Sequence, residues 1–353
     1  MKSKQRSKKF SARATHCLTA GLIALLFALA VSGSAEAQER GEPPSTPLDS
    51  GITPAGPPPA PLLEWGAKPK DIPDGYMVIE GDIIVPVGFY ELEMPWATNL
   101  WPNGVLDYEF DNNVPGYGRF FMRQAMDEWA AVANVTFREF ASCGGAGCVH
   151  IQDSNVNSSY VGRQNFRQDL NIFNWNYRFI MAHELAHALG FWHEQSRTDR
   201  NTYVTINYGN IIAGQEHNFD IAAGSGLYGP YDFDSVMHYT RDAFSRNGMD
   251  TITVLPPNEE WQSRIGQLSH LSRMDQLIMS FIYSFPNWRF VDQSYSGVEI
   301  GTFQQPFRNF IPGVNATPNG GTVWVQPGVY SASGTYTRPM TWRAPLGGVT
   351  LGN

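Results

Sequence analysis

The sequence predicts an α+β fold: a sheet-and-helix main domain followed by a small β-rich C-terminal segment. Three observations predict it. Strand-like and then helix-like periodicities follow one another from about Trp96. A second helix pattern carries a His-Glu-x-x-His motif at 183–187. The last stretch, 291–353, breaks into short apolar runs between Gly and Pro turns.

Leu106, Tyr108 and Phe110 alternate with polar residues, as a half-buried strand requires. Phe121, Ala125, Trp129 and Val132 recur at helical spacing. Val135 to Phe140, Cys148 to Gln152 and Asp169 to Phe173 read as strands, and Tyr177 to Leu189 as the helix bearing the motif. A further helix begins near Ser272. Ser272 and Asp275 have capping-box spacing, Leu277, Ile278, Phe281 and Ile282 form its apolar stripe, and Pro286 lies just beyond it. Upstream, 77–85 is apolar enough for a strand lying on the main domain but too short to be a domain. The runs 320–330 and 349–352 resemble the opening coils of right-handed parallel β-helices. One or two coils are too few to stand alone, so this piece must pack on its neighbour or remain marginal, and a plain β-rich tail competes with a binding module as its reading.

The 353 residues are 42 % apolar and only 16 % charged, with 34 Gly and 24 Pro. Such a chain can build a sizeable core and has Pro-rich linker to spare. Residues 1–37 read as a signal peptide. Lys2, Lys4, Arg6, Lys8, Lys9 and Arg13 form a basic start, Leu18 to Val31 an apolar centre, and Ala35-Glu36-Ala37 a small-x-small cleavage site. The apolar run is short for a bilayer span, which favours removal over anchoring, and no later segment is long and apolar enough to cross a membrane. Removing a net +5 from the overall −8 leaves about −13, a poor match for nucleic acid. The expected organisation is therefore signal 1–37, Pro-rich linker and pro-segment 38–95, main domain 96–290 and β-rich segment 291–353. The product is expected to be secreted, extracellular or periplasmic, and monomeric.

Cys17 leaves with the signal, so Cys143 and Cys148 remain. In an oxidising compartment a small disulfide loop is the favoured reading. A metal pair is disfavoured, because four residues intervene and no third ligand is near.

The chemistry sits at His183-Glu184-Leu185-Ala186-His187-Ala188-Leu189-Gly190-Phe191-Trp192-His193. His183 and His187, four apart on a helix, present both imidazoles on one face to a single cation. Glu184 points near the same face but is offset from the metal, which suits a general base for a metal-bound water. Gly190 lets the helix stop in a left-handed conformation, and the chain can then bring His193 back as third ligand. Three His ligands leave a position open for water, the catalytic rather than the structural zinc pattern, with one Zn²⁺ per chain.

From this motif onward the sequence resembles the astacin family of metzincin metallopeptidases. His193-Glu194-Gln195-Ser196-Arg197-Thr198-Asp199-Arg200 continues as that family does. Ser235-Val236-Met237-His238-Tyr239 resembles its Met-turn, and Ile265-Gly266-Gln267 with Leu271 to Asp275 the end of its catalytic domain. Ser159-Tyr160-Val161-Gly162-Arg163 resembles its substrate-side edge strand. The resemblance covers about Trp96 to Trp288. It implies a metzincin-like fold, with a twisted mixed sheet, long helices and a cleft between two subdomains. It also implies zinc-dependent hydrolysis of peptide bonds in extended protein or peptide substrates.

The same resemblance implies several roles. Met237 would floor the zinc without binding it. Tyr239 would be an additional ligand in the resting enzyme and would swing away to donate to the oxyanion. Ser159 and Tyr160 would pair with substrate, and Glu194 would be buried against a charged group, in the family the freed N-terminus. Asp82, in a Gly-Asp pair within Val78 to Ile83, would occupy the water position on zinc and keep the enzyme latent, against the simpler reading of a surface turn. His238 is a poor ligand and is expected to be a buried, hydrogen-bonded His. Two departures stand out: Asn157 replaces a family Cys, and the last helix lacks one near Ser284. Asn134, Asn157 and Asn315 head glycosylation triplets, which matter only in a eukaryote. A competing reading is a catalytically silent surface-binding or adhesive protein that uses the β-rich tail.

Overall fold

The computed structural model describes residues 72, 74–87, 99–145, 147–222 and 228–352. All lie in the unit Gly56–Asn353. The expected signal peptide and the Pro-rich stretch 41–63 fall outside the described residues.

A seven-stranded mixed sheet forms the frame. Its strands are β1 (Tyr76–Ile79), β2 (Ile83–Pro86), β3 (Val105–Phe110), β4 (Thr136–Glu139), β5 (Cys148–Asp153), β6 (Ser158–Tyr160) and β7 (Arg167–Ile172), in the order β1-β2-β6-β7-β5-β3-β4. β4, β3, β5 and β7 run parallel to one another, whereas β6 is antiparallel to β7. The alternation at 106, 108 and 110 aims Leu106 and Tyr108 into a core shared with Val149, Ile151, Leu170 and Ile172. Two helices close that core, α1 (Gly116–Val132) and α2 (Arg178–Ala188). Trp129 of α1 is fully buried, and its indole N–H donates to Ala182 O at 2.9 Å, so its one polar atom is satisfied.

A third helix, α3 (Arg273–Ile282), opens with the capping box expected from the sequence. Ser272 Oγ accepts from Asp275 N, and Asp275 returns the bond to Ser272 N. The residue that ends it anchors α2, the Tyr283 hydroxyl donating to Leu189 O at 2.8 Å, and the Trp101 indole ahead of β3 donates to Ala188 O at 2.7 Å. The carbonyls that α2 leaves without helical partners are thus met although they are buried. A second core gathers Phe219, Tyr231, Tyr239, Phe244 and Ile265 around a short antiparallel pair, β8 (Val204–Ile206) and β9 (Ile252–Val254).

The upstream segment differs from expectation. In place of one strand it forms the hairpin β1–β2, reversed at Glu80 to Asp82. The C-terminal part has more strands than the sequence suggested. β10 (Trp288–Val291), β11 (Thr322–Val325) and β13 (Thr341–Arg343) form one parallel ladder, and β12 (Gly328–Tyr330) and β14 (Val349–Leu351) another. The boundary expected at 290/291 falls inside β10. Between β10 and β11 in the chain, α4 (Phe310–Ala316) contributes Phe310 and Val314 to a small core with Val291, Val323 and Val325. This segment is not left to itself. Phe281 of α3 meets Phe290, Phe303 and Trp324 at ring separations of 5.2, 5.0 and 4.9 Å. No described helix is long and apolar enough to cross a membrane.

Candidate metal centre

The end of α2 explains how three histidines meet. Phe191 N donates to Ala186 O at 2.9 Å and Gly190 N to His187 O at 2.8 Å, with Gly190 at φ +110°. This paired closure needs a left-handed residue, which glycine supplies without a Cβ penalty. The reversal also brings Phe191 O to accept from His187 Nδ1 at 2.7 Å. His193, fully buried, then returns to the helix face that carries His183 and His187.

The Nε2 atom of His183 lies 3.1 Å from that of His187 and 3.2 Å from that of His193. Asp82 Oδ2 stands 3.3 Å from His183 Nε2 and 3.4 Å from His193 Nε2. Ligands about 2 Å from a tetrahedral zinc are separated by about 3.3 Å, so these edges suit that ion. His183 Nδ1 donates to Val236 O at 2.8 Å, as His187 Nδ1 does to Phe191 O, which leaves both Nε2 atoms as lone pairs facing each other. Asp82 Oδ1 is buried with no hydrogen-bond partner. Converging acceptors with an orphaned carboxylate oxygen call for a cation, and the donor set of three imidazoles and one carboxylate fits zinc. The carboxylates also favour positive charge at this spot. Burial opposes the His193 cation, yet Asp82 and Glu80 outweigh it and raise the ring to about 9. Burial likewise works against the Asp82 carboxylate, but the charge of His193 beside it holds it well below the usual range. Among the described residues, Asp82, His183, His187 and His193 are the one such group able to hold a metal.

The hairpin reaches further into the centre than the sequence indicated. Glu80, 1 % exposed, places Oε2 2.8 Å from His193 Nδ1. Burial pushes its carboxyl up, against the pull of His193. Its backbone carbonyl accepts the Tyr239 hydroxyl. In this structure the Tyr239 hydroxyl therefore engages the hairpin. Gly81 N donates to Asn218 Oδ1 at 3.1 Å, and a Cβ at Gly81 would lie 2.7 Å from the Phe244 ring. Ser159 and Tyr160, both buried, are paired in parallel with Ile83 and Ile84, so β2 occupies the edge on which substrate was expected.

Glu184 is 1 % exposed, and its Oε2 has no hydrogen-bond partner. Burial, then the nearby Asp82 charge, raises its carboxyl well above the ordinary range. Met237 is buried in the turn between Val236, whose carbonyl holds His183, and His238. His238 accepts from the Tyr231 hydroxyl at 2.8 Å and donates to Tyr239 O, away from the metal group. Glu194 meets Arg197 at 3.1 Å and accepts from Asp232 N at 2.8 Å, so its charged partner here is Arg197.

Asp275 was legible only as a cap. It also accepts from Ser235 Oγ at 2.7 Å and Val236 N at 2.9 Å, tying α3 to the turn beneath the histidines. Gln195 Oε1 accepts from Tyr239 N at 2.9 Å. Neither Glu80 nor Gln195 carried a spacing signal. Cys143 and Cys148 are bonded to each other. The Cys143 amide donates to Glu109 on the sheet at 2.6 Å.

Residues 94–284, just over half of the chain, match the family profile described as Astacin (Peptidase family M12A). The chain belongs to the astacin family. Its fold is the astacin-like zinc-protease fold, extended by the C-terminal strands, and the astacin family is zinc-dependent. The chain is 37 % identical over 208 residues to the bone morphogenetic protein 1 homolog of Strongylocentrotus purpuratus, covering 53 % of this chain and 31 % of that protein. It is 34 % identical over 256 residues to the astacin-like metalloendopeptidase of Mus musculus, covering 65 % and 54 %. Among solved structures it matches high choriolytic enzyme 1, a hatching-enzyme zinc-protease of Oryzias latipes. There the identity is 34 %, the TM-score 0.48, and the coverage 53 % of this chain and 95 % of that one. The chain spans less than two thirds of the length of the curated astacin relatives named here.

Proposed function

We propose that this chain is a secreted, latent zinc endopeptidase that hydrolyses extended protein substrates. The observation that carries the reading is the convergence of three imidazole Nε2 atoms beside a buried carboxyl, Glu184, that no hydrogen bond occupies at Oε2. His183, His187 and His193 would hold the ion. Bound there, zinc supplies Lewis acidity for a carbonyl and lowers the pKa of water.

The chain's own residues do the rest. Glu184, as the carboxylate, takes a proton from the attacking water and, as the acid so formed, hands it to the leaving amine. Tyr239, released from the Glu80 carbonyl, donates its hydroxyl to the developing oxyanion. Met237 packs below the histidines. Ser159 and Tyr160, once β2 departs, offer the edge of β6 to an extended substrate backbone. With the hairpin in place, Asp82 blocks the metal and β2 blocks that edge, which is latency by two contacts on one segment. The basic-apolar-small pattern of residues 1–37 supports export.

A peptide-library digest tests the reading. The full chain with Asp82→Ala should cleave peptides faster than the parent chain, and a chelator should stop it. Equal rates for the two chains, or cleavage unaffected by chelation, would refute it.

A further inference from the structure

We propose that Glu80 is a positioning residue of the metal centre: acting through His193, it makes the uncleaved chain hold zinc more tightly. The N-terminal hairpin then retains the ion as well as covering it. This rests on the zinc reading above and adds a residue to it.

The three ligands are not supported alike. His183 and His187 each give Nδ1 to a backbone carbonyl, Val236 O and Phe191 O, both inside the catalytic domain. His193 gives its Nδ1 to a carboxylate that lies 113 residues upstream, on the hairpin. An ionised acceptor makes a stronger bond than a carbonyl and raises the basicity of the ring's other nitrogen, the one facing the metal. The partner that matters most for His193 is thus one that the chain can lose.

Glu80 is placed there against its own backbone preference. Its φ is +50°, in the left-handed region, which a residue with a full side chain rarely adopts. Asn or Gly would fit that turn more easily, but neither has a carboxylate that spans to His193. The same residue's carbonyl accepts the Tyr239 hydroxyl, so one hairpin residue engages both a ligand and the residue assigned to the oxyanion. Asp82, two residues on, contributes the direct carboxylate contact. Glu80 therefore grips His193 from behind while Asp82 faces the ligand nitrogens, on a turn that Gly81 seats against Phe244 and Asn218.

The experiment is the rate of zinc transfer from the full chain to a chromophoric chelator, with zinc content measured beforehand. Glu80→Gln keeps the size of the side chain and removes its charge. Glu80→Asn suits the left-handed turn and withdraws the side chain from His193. Met77→Ala loosens the same hairpin at a partly buried residue away from the histidines. All four chains should bind one zinc. Both Glu80 variants should release it about tenfold faster than the parent, the scale of an outer-contact loss at a metal site, and Met77→Ala should stay near the parent rate. Parent-like release from both Glu80 variants would overturn the proposal. So would equal acceleration by Met77→Ala, which would assign the effect to hairpin docking alone. A parent chain that binds no zinc would instead remove the zinc reading itself, and the stoichiometry reports that separately.

Discussion

Asp275 joins the most distant parts of the centre, and its replacement by Ala has a calculable effect. Its carboxylate accepts from Ser235 Oγ at 2.7 Å, Val236 N at 2.9 Å and Ser272 N at 2.9 Å. All three donors belong to buried residues, so Asp275→Ala strands each of them away from water. A stranded buried donor costs about 1–3 kcal/mol. The carboxylate also bears a cost of its own, since burial raises its pKa, and removing it recovers part of the loss. The net loss should be about 3–5 kcal/mol, the scale of breaking one partner out of a buried charged network. In a domain of this size that lowers Tm by about 6–20 °C. Because Val236 O holds His183, zinc affinity should also fall about tenfold. Thermal unfolding followed by circular dichroism, with chelator competition for zinc, measures both. Asp275→Asn should fall between, since its amide places a donor against a donor. A loss under about 1 kcal/mol with unchanged zinc affinity would refute the reasoning.

Two further outcomes are expected. Burial pushes Glu194 up to about 8 despite Arg197 beside it. A carboxyl raised in the folded state stabilises fully below its unfolded value near 4.5, and that stabilisation is lost as pH rises through about 8. Glu194→Gln should therefore flatten the decline of Tm across that window, and a profile parallel to the parent's would contradict the assignment. Phe281, 1 % exposed, carries the contact between α3 and the C-terminal strands. Phe281→Ala should cost about 3–5 kcal/mol and speed proteolytic loss of the segment beyond α3, while zinc content holds. Protease resistance equal to the parent's would show that the segment is held by other contacts.

What the sequence made legible was local. His183, His187, Gly190 and His193 lie within eleven residues, so helical spacing and one left-handed glycine were enough to bring the three histidines together. The capping box at Ser272 was legible for the same reason, as was the strand alternation at 106–110. What lay beyond reading depends on long-range placement. Nothing in the string Glu80-Gly81-Asp82 says that its first residue meets His193 and Tyr239, 113 and 159 positions away. Asp275 looked complete as a cap, and its bonds to Ser235 and Val236 arise only from packing α3 under the turn. The strand β13, with all three residues exposed, carried no alternation at all, which is why the C-terminal ladder was under-read.

The central claim is that Glu184 is the base of a zinc peptidase, and one comparison reaches it directly. The chains Asp82→Ala and Asp82→Ala/Glu184→Ala should each hold about one zinc, measured by metal analysis. The first should cleave an unstructured protein such as casein. The second should do so at least about 10²-fold more slowly, the contribution expected of a positioned general base. Equal cleavage by the two chains, with zinc present in both, would contradict the account.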